Sequence, residues 1–332
     1  MKTYYITGIT GFLGRNIVVE LLKKEPKAEI IGFVLPNDKH RDIPGDIKYV
    51  EGNILNKEDV SKFLSYQTKG EKILIHAAGR ISVYKRGDPL TTTINVDGTK
   101  IVTDIAKELG FKRMIFVSSV DAITRRMGND PIYEQDRYDE NKVVGVYSKS
   151  KAIANNYVLD QADDNFEVII VCPSAIMGPN DPFGAPINIA IKKAISNKLP
   201  AVTKGGYDIV DVRDVAQGIV DLLQKGQNKE SYILNGEYIS VKDLMGTAAT
   251  IAGAKVVKFT VPFWLIKMIS PFIELHAKLW KKKPLFTGFS MDCLAQNSNY
   301  CHDKMTALTG YQPMDIKKSL ADTINWMRET NF

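Results

Sequence analysis

A tyrosine and a lysine four positions apart, Tyr147 and Lys151, are the residues of this sequence best suited to acid–base chemistry. On a helix, side chains at positions i and i+4 lie on one face and can interact. A free tyrosine has a pKa of about 10, so it transfers protons poorly near neutral pH. A neighbouring ammonium stabilises the phenolate. We therefore expect Lys151 to lower the pKa of Tyr147 toward a range that is useful for proton transfer.

A glycine-rich segment near the N-terminus indicates which chemistry this pair serves. Residues 7–14 read TGITGFLG; an apolar run at 4–6 precedes them and a helical pattern follows. In such a strand, turn and helix, Gly8 permits the tight turn, Gly11 lets the backbone approach a pyrophosphate, and Gly14 lets the helix pack closely on the strand. The helix N-terminus then offers N–H groups and partial positive charge to phosphates. The segment predicts a dinucleotide site.

Alternating strands and helices are predicted over the part of the chain that must position these residues. The predicted strands are Tyr4–Ile6, Ile30–Leu35, Ile47–Val50, Ile73–Gly79, Arg113–Val117, Glu167–Cys172 and Tyr232–Asn235, and helices are predicted around 60–64, over 95–109 and from 147 onward. This alternation predicts an α/β fold with a Rossmann-type, doubly wound parallel sheet. Ligands bind such sheets at the strand ends, where the small residues Ala77, Ala78 and Gly79 would leave room for a cofactor.

The chain of 332 residues, 44% of them hydrophobic, is long enough for one large domain and a smaller lobe. A crossing rich in proline and glycine at residues 173–182 predicts the exit from the dinucleotide domain. We predict an NAD(P)-binding Rossmann domain formed by residues 1–173 plus 207–236. A discontinuous, mostly helical substrate lobe would comprise residues 174–206 plus 237–332.

The residues after the second predicted strand normally decide between NAD and NADP. An acidic side chain there bonds the ribose 2′-hydroxyl, whereas arginine favours a 2′-phosphate. In this chain Leu35 and Pro36 occupy the expected place, Asp38 follows in the loop, and residues 39–41 are basic. Because Asp38 reads as displaced into the loop, NADP is favoured over NAD. Solvated loop charges would leave the choice between the two open.

Composition argues against several other classes of protein. The formal charge of +6, from 44 basic and 38 acidic residues, is too small an imbalance to predict nucleic-acid binding. Three cysteines without CxxC spacing indicate neither a disulfide framework nor a metal site, and reduced thiols suit a cytoplasmic protein. The glycine loop lies almost at Met1, so no signal peptide is expected. His76, inside an apolar run, is predicted to be a packed core residue.

The most apolar tract, Phe259 to Leu279, contains two prolines and three charged residues. It is too short and too broken to span a bilayer comfortably. We favour a pair of short helices that cover a substrate pocket. The alternative is a membrane-surface element over residues 259–283, in which Trp264, Trp280 and the run Lys281–Lys283 would contact lipid.

With these motifs, the chain resembles the extended short-chain dehydrogenase/reductase family, also called the NAD-dependent epimerase/dehydratase family, over nearly its full length. The matching segments are TGITGFLG at 7–14, IHAAG at 75–79, NVDGT at 95–99, FVSS at 116–119, YSKSK at 147–151, PSAIMGPND at 173–181 and VDVRDVA at 210–216. The chain is most similar to the branch of dihydroflavonol reductases and 3β-hydroxysteroid dehydrogenases. Cys172 stands where sugar-nucleotide enzymes usually carry arginine, and VDAIT at 120–124 replaces their VYG.

The resemblance implies a role for each motif residue. Tyr147 would be the acid/base, Lys151 would bind the nicotinamide ribose, and Ser119 would hold the reacting oxygen. Asn95 matches the position that supports the lysine through water. The implied cofactor-binding residues are Gly8, Thr10, Gly11, Phe12, Leu13, Gly14, Leu35, Asn53, Ile54, Ala77, Ala78, Gly79, Tyr147, Lys151, Pro173 and Ser174. Asn53 departs from the family pattern, because many relatives carry an aspartate there near the adenine.

The leading hypothesis is an NAD(P)-dependent oxidoreductase that reduces a ketone or aldehyde, or oxidises the alcohol, of a small apolar molecule. A nucleotide-sugar epimerase or dehydratase with tightly bound NAD is the first alternative, and a non-catalytic NAD(P)-sensing or scaffold protein is the second. The expected partner is the small-molecule substrate, and the sequence leaves open whether the protein forms a homodimer. Candidate pocket residues, chosen by position alone, are Arg80, Ser82, Asp121, Met177 and Phe183.

Overall fold

The structure, a computed structural model, describes residues 2–82, 84–126, 128–266, 268, 270, 291 and 293–332. Its strands are β1 (Lys2–Thr7), β2 (Glu29–Val34), β3 (Ile47–Glu51), β4 (Glu71–His76), β5 (Arg113–Val117), β6 (Glu167–Pro173), β7 (Ala175–Met177), β8 (Val202–Thr203), β9 (Gly206–Asp211), β10 (Glu230–Leu234), β11 (Glu237–Ser240) and β12 (Thr260–Val261). Its helices are α1 (Phe12–Lys24), α2 (Lys57–Leu64), α3 (Pro89–Thr92), α4 (Thr99–Glu108), α5 (Val146–Gln161), α6 (Pro186–Ile195), α7 (Val212–Lys225), α8 (Val241–Ala252), α9 (Asp303–Thr309) and α10 (Ile316–Glu329). A π-helical turn at Thr93–Gly98 joins α3 to α4, and a 3₁₀ turn at Val120–Ala122 follows β5.

Seven strands form the central sheet in the order β10-β6-β5-β4-β1-β2-β3. All the pairings in this sheet are parallel. From β1 the chain builds the sheet outward to β2 and β3, and then returns to β4 and builds in the other direction. This arrangement confirms the predicted Rossmann-type, doubly wound sheet and places its topological switch between β1 and β4.

Helices cover both faces of this sheet, as the alternating side chains of β1 show. Tyr4 and Ile6 belong to the core on the face that carries α1 and α7. Tyr5 faces the opposite way, into the core with α2, α4 and α5. Its ring centroid lies 5.7 Å from that of Phe63 and 4.9 Å from that of Phe111, both at edge-on angles. Because both faces are buried, a ligand can reach the sheet only along an edge.

A second group of elements packs beyond the carboxyl edge of the central sheet. Strands β7, β9 and β11 form a three-stranded sheet, and β8 pairs with β12. Met177, Ile191, Leu244 and Leu320 are buried together between this sheet and helices α6, α8 and α10. The predicted boundary at residue 207 falls within β9, which pairs with β7 and β11. The division of the chain into two domains stays a prediction.

Most of the apolar tract predicted to cover the pocket lies outside the described residues, as do Trp280 and Lys281–Lys283. Of the remainder, residues 263–266 are helical, Phe259 and Trp264 are exposed, and Ile266 is buried. Whether the tract is a cover or a membrane-surface element stays open. Within the part of the chain that the structure describes, we find no helix with the length and apolar character needed to cross a membrane.

Candidate active site

The residues predicted to bind the cofactor lie along one edge of the central sheet. Gly8 follows β1, Leu35 follows β2, Asn53 follows β3, residues 77–79 follow β4, and Pro173 ends β6. Since the strands are parallel, their carboxyl ends meet at the same edge, which is where open α/β sheets bind ligands. The structure therefore brings together segments that are far apart in the sequence.

The three glycines of the first turn are required by close backbone packing. Gly8 has a φ of 69°, and a Cβ added to it would lie 2.7 Å from the backbone nitrogen of Ala78. A Cβ on Gly14 would overlap the carbonyl oxygen of Gly8. The amide of Gly11 donates a hydrogen bond to that same oxygen at 3.0 Å. The turn is thus compact and lies directly against the end of β4.

The N-terminus of α1, next to this turn, fits a dinucleotide pyrophosphate. Its N-cap is Gly11, which has no capping side chain, and the first turn contains no acidic residue. The backbone N–H groups of Phe12 and Leu13 begin the helix and have no partner within it. Unpaired N–H groups and the positive end of the helix dipole favour phosphate oxygens. The residues present therefore fit the cofactor expected from the sequence.

The loop after β2 carries Asp38 beside the glycine turn. The Thr10 hydroxyl donates to Asp38 Oδ2 at 2.7 Å, and the amide of His40 donates to Oδ1 at 2.9 Å. Asp38 therefore lies in the loop after β2 but is bonded to the glycine turn, and the preference for NADP stays a prediction. The Arg41 guanidinium donates instead to Glu51. Leu35 is exposed beside this loop.

Asn53 and Ile54 shape the turn after β3. The Asn53 side chain accepts a hydrogen bond from the backbone N–H of Leu55 at 3.0 Å, and the backbone N–H of Asn53 donates to Asp59 Oδ2 at 2.8 Å. Ile54 is buried, and a Cβ on Gly98 would lie 3.1 Å from its Cγ2. These contacts give both residues a structural role. Their contact with the adenine stays a prediction.

Lys151 is buried behind Tyr147 on helix α5. Its Nζ donates to the carbonyl oxygen of Val117 at 2.7 Å and lies 4.8 Å from the centre of the Phe116 ring. Burial lowers the pKa of Lys151 to about 8. A Cβ on Gly79 would lie 3.4 Å from this Nζ. The ammonium is thus fixed between the ends of β4 and β5, in reach of a ligand lying across them.

Tyr147 is half-buried one residue into α5, and its acidity differs from the expectation. Burial raises the pKa of Tyr147 above its ordinary value, the Asp121 carboxylate raises it further, and hydrogen bonding to the Ser119 side chain lowers it. The predicted lowering by Lys151 is therefore absent from this structure. The physical reason is that the Lys151 ammonium is directed at the Val117 carbonyl, while desolvation and a carboxylate act on the phenol.

Ser119 and Asn95 are held by hydrogen bonds to the backbone around the site. Ser119 Oγ accepts from the amide of Asp121 at 3.1 Å and begins the 3₁₀ turn after β5. Asn95 is buried in the π-helical turn, where it donates to the Arg80 carbonyl at 3.0 Å and accepts from the Arg80 amide at 2.8 Å. Asn95 therefore fixes the chain that leaves β4. Its predicted support of Lys151 through water is untested.

Ser150, which the sequence did not single out, joins Asn95 to helix α5. Asn95 Nδ2 donates to Ser150 Oγ at 3.0 Å, and Ser150 Oγ donates to the Tyr147 carbonyl at 2.7 Å. The YSKSK motif could have indicated this contact, because Ser150 lies three residues after Tyr147 on the helix and is buried. The link sets the position of the first turn of α5 relative to β4.

His76, Pro173 and Ser174 complete the strand ends. His76 is fully buried, with Thr7 Oγ1 at 2.6 Å from Nδ1 and Thr99 Oγ1 at 3.0 Å from Nε2. Burial lowers its pKa to about 3, so the ring is neutral, in agreement with the predicted core role. Pro173 and Ser174 are buried at the end of β6, and the Ser174 amide donates to the Leu234 carbonyl at 3.1 Å.

The structure contains a cavity of about 420 Å³ whose lining includes residues close in sequence to Ser119 and Tyr147. Asp121, two residues after Ser119, and Ser148, next to Tyr147 in the sequence, line it together with Arg125 and with residues 293 and 295–297. Of the five positional guesses for the pocket, Asp121 is the one that lines this cavity. Arg125 was missed because its position depends on a wall supplied by the distant end of the chain.

Comparisons with known proteins agree with this geometry. The family described as NAD dependent epimerase/dehydratase matches residues 4–235. A putative dihydroflavonol 4-reductase of Synechocystis sp. is 29% identical, with 99% of this chain and 95% of that protein covered. The sterol-4-alpha-carboxylate 3-dehydrogenase, decarboxylating, of Mus musculus is 25% identical, with 94% and 87% covered. The crystal structure of gox2253 superposes with a TM-score of 0.82 at 28% identity, covering 99% of this chain and 98% of that one.

Proposed function

The chain belongs to the NAD-dependent epimerase/dehydratase family and is an oxidoreductase of its short-chain dehydrogenase/reductase type, and on that basis we propose that it interconverts an alcohol and a ketone or aldehyde on a small, largely apolar molecule. The observation that carries the proposal is the grouping of Ser119, Tyr147 and Lys151 at the end of β5, where Tyr147 is in hydrogen-bond contact with Ser119 and Lys151 donates to the Val117 carbonyl. Relatives named as a reductase and a dehydrogenase support oxidoreduction.

Tyr147 is the group that moves the proton. In reduction its hydroxyl donates to the oxygen of the substrate carbonyl, and in oxidation its phenolate accepts the proton of the alcohol. Ser119, in hydrogen-bond contact with Tyr147, orients the same oxygen. A bound nicotinamide supplies or accepts the hydride, and its oxidised ring adds positive charge that favours the phenolate. Lys151 holds a second positive charge between the ends of β4 and β5.

The position of Asp38 supports NAD over the NADP expected from the sequence. A carboxylate held at the glycine turn can accept hydrogen bonds from a ribose diol but repels a 2′-phosphate. Of the nearby cations, Arg41 is already paired with Glu51. We therefore propose that the enzyme uses NAD in preference to NADP. Relative kcat/KM for the two cofactors measures this directly.

Replacing Tyr147 with phenylalanine tests the proposed acid/base role. Y147F should leave cofactor binding near normal and lower turnover of a carbonyl and alcohol panel by about 10²–10⁴-fold, the usual contribution of general acid–base catalysis. The matched control is Y157F on the same helix, whose hydroxyl is bonded to Asp104 and lies outside the site. Retained activity in Y147F would sink the assignment. Protein that keeps nicotinamide through dialysis and needs no added cofactor would point to an epimerase instead.

A further inference from the structure

A loop that we call the strap, residues 178–185, connects β7 to α6 and reaches the edge of the central sheet that carries the glycine turn. It makes two contacts there. Asn180 Nδ2 donates to Asn16 Oδ1 in α1 at 3.4 Å, and the Phe183 ring centroid lies 4.6 Å from that of His40, at an interplanar angle of 64°. Phe183 is a pocket candidate from the sequence, but no residue of the strap lines the cavity. The strap therefore belongs to the cofactor side of the site.

The two contacts of the strap lie on different sides of the place where a dinucleotide is expected. Asn16 donates to the Phe12 carbonyl at 2.8 Å, in the first turn of α1, whose N–H groups fit a pyrophosphate. His40 lies in the loop after β2, where its backbone N–H donates to the Asp38 carboxylate proposed to bind the ribose. The strap thus joins the phosphate side of the site to the ribose side.

From this position we propose that the strap closes over the adenosine half of the bound dinucleotide, and that Phe183 separates from His40 each time the cofactor enters or leaves. Phe183 is then a positioning residue that controls cofactor exchange. The inference rests on the proposed function, because it requires a nicotinamide dinucleotide at the glycine turn.

Hydrogen bonds within the strap fix its shape. Asp181 is buried, and its carboxylate accepts from the backbone N–H groups of Phe183 at 3.2 Å and Gly184 at 3.0 Å. Asn188 Nδ2 donates to the same carboxylate and to the Gly178 carbonyl, both at 2.9 Å. These bonds do not involve the glycine turn or the loop after β2. The strap can therefore separate from both without losing its own fold.

The contacts that hold the strap down are weaker than the bonds within it. The hydrogen bond from Asn180 to Asn16 is long, at 3.4 Å, and Phe183 is 58% exposed. An edge-on pair of aromatic rings changes an equilibrium by about two- to tenfold. Since the ring contact is made within the protein, it should slow entry and exit of the cofactor by the same factor.

Stopped-flow fluorescence of NADH with the full-length protein measures association and dissociation separately. In F183A both rate constants should rise by about two- to tenfold, while Kd changes by less than about twofold. F183Y keeps a ring at this position and should retain the wild-type rates. The matched control is Y238A, which removes an exposed aromatic side chain on β11, and it should change neither rate.

A second substitution tests whether the two rings act as a pair. H40A removes the other ring but keeps the backbone N–H that bonds to Asp38. Because both substitutions remove one contact, H40A/F183A should exchange NADH no faster than either single variant. Rate increases that multiply in the double variant would overturn the pairing.

The remaining outcomes separate the strap from the proposed function. Unchanged exchange in F183A, with turnover of the carbonyl and alcohol panel by the wild type, would overturn the strap and leave the oxidoreductase intact. A higher Kd that comes from faster dissociation alone would make Phe183 a direct contact of the cofactor and would also overturn the proposal. If the wild type does not bind NADH, both the strap and the proposed function are wrong.

Discussion

In the half of the site that we propose binds the cofactor, backbone groups provide most of the surface. Gly8, Gly11 and Gly14 form a turn whose packing leaves no space for side chains, and the uncapped start of α1 presents N–H groups. In the half that we propose binds the substrate, side chains make the surface, chiefly Asp121 and Arg125 together with residues 293 and 295–297. Backbone geometry tolerates little change, whereas side-chain surfaces can be exchanged without disturbing the fold. The glycine turn can therefore be kept while substitutions in the cavity wall change which substrate is bound.

The largest expected effect comes from adding one methyl group to the backbone half. In G14A the new Cβ would overlap the Gly8 carbonyl, so the turn must open, at a cost of about 1–3 kcal/mol and with loss of cofactor affinity. Isothermal titration with NAD and thermal unfolding measure both effects. G246A in α8 is the control, because its Cβ would meet nothing closer than 3.7 Å. Normal NAD binding by G14A would mean that cofactor binding does not depend on the close packing of Gly14 against Gly8.

A smaller effect is expected from Asp38, a side chain that lies against the glycine turn, and it concerns the preference between NAD and NADP. D38S removes the carboxylate that faces the glycine turn and should raise the kcat/KM ratio of NADP to NAD by about tenfold, a change of about 1.4 kcal/mol. D46S is the control, since Asp46 is exposed and pairs with Lys48. An unchanged ratio in D38S would show that another residue of the loop selects the cofactor.

We expect Asp121, on the cavity side of the site, to affect the acidity of Tyr147. Because the Asp121 carboxylate raises the pKa of Tyr147, D121N should lower that pKa, and the Arg125 charge left unpaired acts in the same direction. Alcohol oxidation needs the phenolate, so its rise with pH should move to lower pH in D121N. Profiles of kcat against pH measure the shift, with D160N on the outside of α5 as control. A shift to higher pH would contradict this account.

The smallest expected effect is that of replacing Lys151 on the thermal stability of the protein. Burial lowers the pKa of Lys151 from 10.5 to about 8, so the folded state binds fewer protons than the unfolded state between those two values. Stability of the wild type should therefore rise with pH in that window, relative to K151M. Below pH 8 the buried charge is a cost, and K151M should melt at a temperature a few degrees higher while losing turnover. K149M, exposed on the same helix, should show neither effect.

The sequence was sufficient for features that depend on local pattern. The strand ends, the glycine turn and the placement of Tyr147 and Lys151 on one helix follow from short-range periodicity and spacing. The predictions that the structure did not support concern the direction of individual side chains and contacts between distant segments. Lys151 shares a helix with Tyr147, but its ammonium is bonded to Val117, and Asp38 returns to the glycine turn through Thr10. No spacing rule gives these partners.

The substrate side shows the same limit more strongly. Arg125 belongs to a loop with no periodic signal, and its place in the cavity wall depends on residues 295–297, which are more than 160 positions away. Ser150 lies inside a recognised motif, yet its link to Asn95 depends on how α5 packs against the π-helical turn. Such contacts are set by the assembled fold, so they become visible only once the elements are placed.

The wall of the cavity formed by residues 293 and 295–297 has a consequence for the order in which the protein is made. A chain emerging from the ribosome exposes its N-terminal segments first, and these can fold as units during synthesis. The glycine turn and Tyr147 are therefore translated well before the wall that faces Arg125. A nascent chain therefore contains the glycine turn and the start of α5 before it contains the residues that complete this wall of the cavity.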